Sequence, residues 1–291
     1  MEFLKRNDID TGRWDAVISS SVTGMPYAYS TILDECCGGK WDAIVGDGYS
    51  YILPLPFNRK ILGFKQYFQP YLLQQLGIFG DIPGMDELKD ILGVIKKHSV
   101  RSLMAFQEEN TQLLKGSGIL KNNFVLDLRA SYEDISQQYK KSLKQRVGKD
   151  YDDTFIGREE IRPDEALEMY IQWTYTKYSR SEKLSRQYIR NWVQAFDRLG
   201  YLDVIALKTN DSTIHSGIIY LKTPSRIILS LQFNHPEYKN FSGPSRLIDR
   251  LIRQHAGQEI ALDFEGSEIP SIAEFYSSFS PENKPYTIVR T

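Results

Sequence analysis

The sequence predicts an α/β protein of two domains, each a mixed β-sheet flanked by helices. The chain has 291 residues, a length at which one hydrophobic core usually gives way to two. Both halves run in the same order, from helices through an antiparallel meander to alternating helix and strand, and this repetition indicates one architecture used twice. We expect domains at residues 1–150 and 151–291, with the last strand able to pack back toward the first domain.

Composition narrows the class of protein. Hydrophobic residues make up 41% and charged residues 25%, which is typical of a soluble globular protein, and no apolar run is long enough to span a bilayer. The first residues lack the apolar core of a signal peptide, so we expect a cytoplasmic protein. A net charge of −1 argues against general affinity for DNA. The adjacent Cys36 and Cys37 are poor disulfide partners, and the four histidines lack ligand spacing, so no metal is expected.

The first half begins with helical segments and continues into a hairpin. Trp41–Val45 and Tyr49–Leu55 are strand-like, and Gly46–Gly48 supplies the turn between them. Further strands are predicted at Leu62–Phe68, Leu72–Phe79, Ser102–Phe106 and Asn123–Leu128, and helices at Gly12–Ser21, Ala28–Cys36, Met85–His98 and Thr111–Gly116.

The second half repeats this order. Helices are predicted at Pro163–Tyr178 and Ser185–Leu199, and then strands at Leu202–Ala206, Ile214–Leu221 and Ile227–Phe233. A helix that opens at Ser242–Ser245 places Leu247, Ile248, Leu251, Ile252 and Ala256 on one face. The strand Ile260–Phe264, a tight exit through Gly266, and a helix beginning at Pro270 complete the domain.

A basic segment lies between the two halves. Within Ser131–Asp153, five cations precede the acidic residues 150, 152 and 153; they are Lys140, Lys141, Lys144, Arg146 and Lys149. Such a run is typical of a solvated helix face. The alternative is a strip beside a cleft that binds anions such as phosphates.

The order of elements resembles the GNAT acyltransferase fold present twice, and this tandem form is similar to the Fem-type aminoacyltransferases of peptidoglycan synthesis. Nearly the whole chain takes part in the likeness. Four stretches carry it: Leu126–Leu128 with Ile135 and the basic helix to Arg146; Trp173–Tyr178 with Ser185–Phe196; Ser242–Ala256; and Leu262–Gly266 with Ile272–Phe279.

The resemblance implies where an acyl donor would lie. In a GNAT domain the strands after the third splay apart, and the donor's pyrophosphate sits on N–H groups at the start of the next helix. Here that helix start offers Lys239, Gly243 and Arg246, while Pro244 lacks an N–H. The Fem-type family uses aminoacyl-tRNA and lacks the usual phosphate loop. We therefore expect no tightly bound cofactor, and as acyl donor either aminoacyl-tRNA or acetyl-CoA.

Acyl transfer to an amine requires a base and donors for the oxyanion. Glu265 is the predicted base, and the alternative is that its carboxylate only stabilises the turn. For Asp263 the role of a turn carboxylate is favoured over that of a base. Fem-type enzymes carry a basic residue after an aromatic in the last helix, and here Tyr276 stands at that place. Tyrosine can donate a hydrogen bond to an oxyanion without bringing a charge, so Glu265 and Tyr276 are the candidate catalytic residues.

Two further groups could bind substrate. Tyr175, Lys177, Tyr178 and Arg180 lie on a helix that would border the acceptor site, or they form an aromatic core face with solvated cations. Gln74 and Gln75 hold amides in a strand-like region of the first domain, where they either knit the sheet or line a groove.

Three functions fit these observations. The first is an acyltransferase that moves an acyl or aminoacyl group to a small-molecule or peptidoglycan-precursor amine. The second is an acetyl-CoA-dependent N-acetyltransferase acting on a small amine or amino sugar. The third is a non-catalytic descendant that binds a ligand. The sequence leaves these alternatives open.

Overall fold

The computed structural model describes residues 1–21, 23–175 and 185–291, which fold into two compact units. The first comprises Met1–Asn122 with Lys284–Thr291, and the second comprises Asn123–Asn283. The boundary therefore lies after residue 122 and not at residue 150. The reason is that the strand Phe124–Asp127 pairs with Ala261–Asp263 of the second unit.

The first unit contains a mixed sheet. Its order is β1-β2-β3-β4-β6, with β5 also paired to β3, and β4 runs parallel to β6 while the other pairs are antiparallel. The strands are β1 Glu2–Lys5, β2 Trp41–Val45, β3 Tyr51–Ile61, β4 Phe64–Tyr67, β5 Phe79–Gly80 and β6 Ser99–Arg101.

Helices α1 (Thr11–Ser19), α2 (Ser30–Cys37) and α3 (Met85–His98) belong to this unit. On α3, Leu88, Ile91 and Ile95 are buried because their spacing of three and four residues aligns them on one face. They pack in one apolar cluster with sheet residues such as Leu53. The bounds of α3 agree with the predicted helix, whose first turn is acidic and last turn basic.

A second, antiparallel sheet completes the first unit. It consists of β7 (Leu103–Phe106), β8 (Ile119–Lys121) and the last strand, β16 (Tyr286–Arg290). The order is β7-β16-β8, so the last strand is the central one. It lies in the first unit although the chain reaches it only after the whole second unit.

Two predicted elements of the first unit differ from the structure. Residues 72–78 form a loop rather than a strand, because side-chain amides replace the strand ladder: Asn110 Oδ1 accepts from the Ile78 N–H at 2.8 Å, and Gln69 Oε1 accepts from the Ala105 N–H at 2.8 Å. Residues 111–116, predicted as a helix, form turns.

The second unit contains a sheet in the order β10-β11-β12-β13-β14-β9-β15. Strands β13 and β14 are parallel and the other neighbours are antiparallel, so this sheet is also mixed. The strands are β9 Phe124–Asp127, β10 Asp153–Gly157, β11 Leu202–Thr209, β12 Ile214–Lys222, β13 Arg226–Asn234, β14 Ala261–Asp263 and β15 Glu282–Asn283.

Six helices belong to the described part of this unit: α4 Tyr132–Gln137, α5 Lys141–Val147, α6 Pro163–Tyr170, α7 Arg186–Arg198, α8 Gly243–His255 and α9 Pro270–Ser277. On α8, Leu247, Ile248, Leu251 and Ile252 are fully buried and pack in one cluster with residues of β12, β13 and β14. Such burial of four large aliphatic side chains stabilises the unit by about 1.5–3 kcal/mol for each. The structure thus confirms two mixed α/β units.

The basic segment forms α4 and α5, and its cations lie at the surface. Lys140 Nζ donates to Ser277 Oγ at 2.9 Å, and Lys144 Nζ donates to the Gln137 carbonyl at 2.7 Å. In the described part of the chain, no helix is both long enough and apolar enough to cross a membrane.

Candidate functional site

Strands β13 and β14 separate in the middle of the second sheet. They pair only over Arg226–Ile228 and Ala261–Asp263, after which β13 continues to Asn234 while β14 ends. A β-bulge at Ser230 accompanies the separation, because Tyr220 pairs with Leu229 while the preceding residue of β12 pairs with Leu231. A parallel pair that opens in this way exposes one strand's backbone and side chains to a ligand.

Tyr276 on α9 lies against this opening. Gln232 Nε2, on the far part of β13, donates to the Tyr276 hydroxyl at 3.0 Å. The ring packs on Phe264 and Phe275, with centroids 5.3 and 5.6 Å away. Because Gln232 is the donor in this bond, the phenol proton can be directed to another acceptor.

The surroundings keep that proton on Tyr276 at neutral pH. Burial raises the pKa of Tyr276 to about 12, the hydrogen bond from Gln232 acts in the opposite direction, and the Glu265 carboxylate adds to the rise. The phenol is therefore suited to donate a hydrogen bond and not to act as a base.

Glu265 and Asp263 occupy different settings. Asp263 is 1% exposed, accepts from Arg226 Nη1 at 2.6 Å and also accepts from the Glu265 N–H at 2.8 Å, so it is a structural turn carboxylate. Glu265 is half-buried and has φ +57°, a conformation that costs a non-glycine residue about 1–3 kcal/mol. Strained residues of this kind cluster at functional sites. Glu265 follows the end of β14, and Tyr276 lies against the opening that this end creates, while their catalytic roles stay predictions.

The start of α8 lies next to β12. A Cβ on Gly243 would lie 2.0 Å from Ser216 Oγ, so only glycine allows this close approach. The preceding Ser242 has φ +54°. Lys239 is exposed in the 3₁₀ turn Pro236–Phe241 that leads into the helix.

Arg246 does not have the predicted role of facing an acyl donor. It is 8% exposed, and Nη1 and Nη2 donate to the two oxygens of Asp153 at 2.7 and 2.6 Å. Asp153 Oδ2 also lies 2.9 Å from His215 Nε2. Burial alone would raise the pKa of Asp153, but the hydrogen bonds and charge of Arg246 and His215 hold it below its usual range. Arg246 is therefore occupied in a buried ion pair.

Sequence reasoning missed the network that continues from Asp153. His215 Nδ1 lies 3.1 Å from Ser216 Oγ, and that hydroxyl donates to Asn234 Oδ1. Neighbouring residues of a strand normally face opposite sides, but the register shifts between Leu207 and Lys208 and leaves His215 as an extra residue. No pattern in the sequence marks this bulge. The network joins β10, β12 and β13 to the start of α8.

We expect this network to make the protein sensitive to acid. Burial lowers the pKa of His215, and the neighbouring Asp153 only partly opposes this. Since the unfolded histidine titrates near about 6.5, the unfolded state binds more protons below that pH, and the free energy of unfolding falls as pH decreases. Asp153, whose pKa is also lowered, further decreases the free energy of unfolding at still lower pH. Thermal unfolding should therefore occur at lower temperature at about pH 5 than at about pH 7.5.

The variant His215→Gln tests the cause. It should reduce the pH dependence between about pH 7 and 5, leaving the part due to His255, whose pKa burial also lowers. An unchanged slope in melting temperature against pH would show that His215 is not the responsible group.

The helix predicted to border the acceptor site differs in form. After α6 the chain makes a π-helical turn, Ile171–Tyr175, and such turns often occur at functional sites. Trp173 in this turn packs against Phe233 and His235 of the β13 end, with centroids 5.8 and 4.8 Å away. Tyr175 is half-buried, with the Arg186 guanidinium 6.0 Å from its ring. The other predicted residues of this helix, Lys177, Tyr178 and Arg180, lie outside the described residues.

The paired glutamines belong to the loop of the first unit. Gln75 is fully buried, its Nε2 donates to Gln74 Oε1 at 3.1 Å, and its Oε1 accepts from the Glu108 N–H at 3.0 Å. These bonds favour the structural alternative for Gln75. Within residues 1–21, 23–175 and 185–291, no group of three or more His, Cys, Asp or Glu side chains could hold a metal ion.

Comparison with known proteins identifies the fold. No protein-family model matches the sequence, and no curated protein matches it. Among solved structures, FemX matches with a TM-score of 0.68 and 13% identity. The match covers 98% of this chain and 96% of the FemX chain. The chain has the tandem GNAT fold.

Two other solved structures are also similar to this chain. A tandem GNAT protein from the clavulanic acid biosynthesis pathway matches at a TM-score of 0.55 and 11% identity, covering 99% of this chain and 97% of its own. The C-terminal domain of a putative lysylphosphatidylglycerol synthetase from Agrobacterium fabrum matches at a TM-score of 0.58 and 12% identity. The match covers 96% of this chain and 91% of that domain's chain. At such identities the likeness shows the fold alone.

Proposed function

We propose that this protein transfers an acyl or aminoacyl group to an amine, at the place in the second unit where β13 and β14 separate. One observation carries the proposal: the hydrogen bond from Gln232 to the Tyr276 hydroxyl at 3.0 Å, which leaves a protonated phenol beside the opening. The tandem GNAT fold shared with FemX supports the class of reaction.

The reaction needs few groups. The amine nitrogen attacks the donor carbonyl carbon, a C–N bond forms, and the carbonyl oxygen becomes an oxyanion that accepts a hydrogen bond from Tyr276. The C–O bond of an ester, or the C–S bond of a thioester, then breaks. Glu265 accepts the proton that the amine loses, directly or through a water molecule, and that proton goes to the departing oxygen or sulfur. Atoms and charge balance without a metal or redox group.

We further propose an aminoacyl-tRNA donor and a peptidoglycan-precursor amine acceptor. The start of α8 supports this choice of donor, because Pro244 contributes no N–H and the Arg246 guanidinium is bound to Asp153. A pyrophosphate would find Lys239 as the exposed cation on the approach to the helix. The resemblance of the sequence to the Fem-type aminoacyltransferases of peptidoglycan synthesis supports an acceptor of the peptidoglycan class.

Donor binding and turnover test the proposal. Thermal unfolding is measured with and without acetyl-CoA, where a ligand at a hundredfold excess over its Kd would stabilise by about 2.7 kcal/mol. We expect no stabilisation, and transfer of labelled amino acid from aminoacyl-tRNA to a peptidoglycan-precursor peptide. Clear stabilisation by acetyl-CoA would instead favour N-acetyl transfer. Binding of neither donor, with Glu265→Gln and Tyr276→Phe leaving every assay unchanged, would indicate a non-catalytic protein.

A further inference from the structure

The hairpin between β3 and β4 in the first unit ends in an exposed apolar tip. Ile61 and Phe64 pair across the strands and are 39% and 47% exposed, and Leu62 in the turn is 95% exposed. Val100 on the neighbouring strand β6 is 49% exposed. Isolated apolar residues at a surface are ordinary, but four large ones on adjacent strands are typical of an interaction site.

The turn itself is unfavourable for the residue it contains. Leu62 and Gly63 both have positive φ, +49° and +86°, as a two-residue type I′ turn requires. Asparagine and glycine suit this conformation, whereas leucine is strained in it. Leu62 is thus both strained and almost fully exposed, and its contacts in the folded unit do not account for it.

Cations surround this tip. Arg59 and Lys60 precede it on β3, Lys65 follows it on β4, and Lys60 and Lys65 stand directly opposite each other. Like charges at such a cross-strand position are destabilising. The sequence contains no Asp or Glu from residue 48 to residue 80, or from residue 91 to residue 107. The second of these stretches brings the basic last turn of α3 and Arg101 to the same sheet.

A groove of about 530 Å³ opens behind the tip. Its lining includes Lys5, Arg6, Lys60, Lys65 and His98, against the single carboxylate of Asp42. Lys65 pairs with Asp42, and Arg6 pairs with Asp34 at 2.6 Å.

Two of these cations keep their charge available. Within residues 1–21, 23–175 and 185–291, no carboxylate forms an ion pair with Lys5 or Lys60. Lys60 Nζ instead lies 5.6 Å from the centre of the Phe57 ring. The groove therefore offers uncompensated positive charge beside an aromatic ring and next to the apolar tip.

We propose that this end of the first unit docks on an anionic bilayer surface, with the tip Ile61–Phe64 in the interface and lipid phosphates at the groove. The apolar tip and the cationic groove match the two zones of a membrane surface. Apolar groups enter the acyl boundary there, and cations remain at the headgroups. Charge complementarity selects this partner, because an apolar tip alone would fit a protein surface equally well.

Vesicle sedimentation of the full chain tests the proposal. We expect binding to vesicles of phosphatidylcholine mixed with phosphatidylglycerol, weak binding to phosphatidylcholine alone, and release by salt. Leu62→Asn should weaken binding by about tenfold, since the apolar side chain is lost while asparagine accepts the left-handed turn. Lys60→Gln should weaken it by about fivefold.

Matched substitutions control for surface changes of the same kind. Leu120→Asn removes an aliphatic side chain that is 60% exposed on β8, and Lys115→Gln removes an exposed cation of the same unit. Both should bind vesicles as the unaltered chain does, and all variants should melt at nearly the same temperature.

Several results would overturn the proposal. One is equal binding to neutral and anionic vesicles, or none to either. Another is binding of glycerol 1-phosphate in solution without vesicle binding, which would make the groove a small-ligand site. A third is a dimer, detected by sedimentation velocity, that Leu62→Asn dissociates, together with no binding to vesicles. The proposal does not depend on acyl transfer, so neither failure implies the other.

Discussion

Replacing Tyr276 by phenylalanine is expected to lower kcat for acyl transfer by about 10²–10³, the usual cost of removing one oxyanion donor. The ring would keep its packing against Phe264 and Phe275, so only the hydroxyl and its bond to Gln232 are lost. Loss of one hydrogen bond costs about 0.5–1.5 kcal/mol of stability. Steady-state kinetics with saturating donor, together with a thermal melt, would separate the two effects.

A second tyrosine in the same unit gives the control. Tyr220 donates its hydroxyl at 3.0 Å to Asp203 on β11, the strand on the other side of β12 from β13, so Tyr220→Phe should cost similar stability and leave kcat unchanged. If both variants lose activity equally, the effect is on folding. If Tyr276→Phe retains full kcat, the hydroxyl does not stabilise the oxyanion.

Replacing Asp153 by alanine is expected to destabilise the second unit by about 3–5 kcal/mol, because it leaves a buried guanidinium without its counter-charge. The carboxylate holds both Arg246 and His215, and its side chain is fully buried. A loss of this size corresponds to about 10 °C in Tm. Thermal unfolding and urea titration of the full chain would measure it.

The exposed pair Asp127–Arg129 provides the matched comparison. Its side chains are 53% and 70% exposed, so Asp127→Ala should change the free energy of unfolding by only about 0–1 kcal/mol. Similar losses for Asp153→Ala and Asp127→Ala would contradict the view that burial makes the Asp153 pair important.

The sequence predicted much of the fold because most elements carry their own signal. The periodicity of α3 and α8 and the β-branched runs of β11 to β13 specify element type locally. The domain boundary required knowing that β9 pairs with β14 across more than a hundred residues. The loop at residues 72–78 resembles a strand in composition, and only distant partners such as Asn110 decide its form.

The candidate site was predictable only in part. Glu265 was predicted from its place at the end of a strand and Tyr276 from the resemblance to Fem-type enzymes, and the catalytic roles of both stay predictions. Gln232 could not be recognised, because the bulge at Ser230 has no sequence signature. Arg246 shows the opposite difficulty: a cation in the first turn of a helix suggests an anion site, while burial beside Asp153 assigns it to an ion pair.

The place of β16 has a consequence for how the chain is made. This strand is the centre of the three-stranded sheet, with β7 on one side and β8 on the other, yet it follows the whole second unit in the sequence. During synthesis the first unit therefore emerges from the ribosome with β7 and β8 lacking their shared partner. The backbone N–H and C=O groups of β7 and β8 that face this partner remain unpaired until the second unit has been translated, so the N-terminal unit is completed late in synthesis.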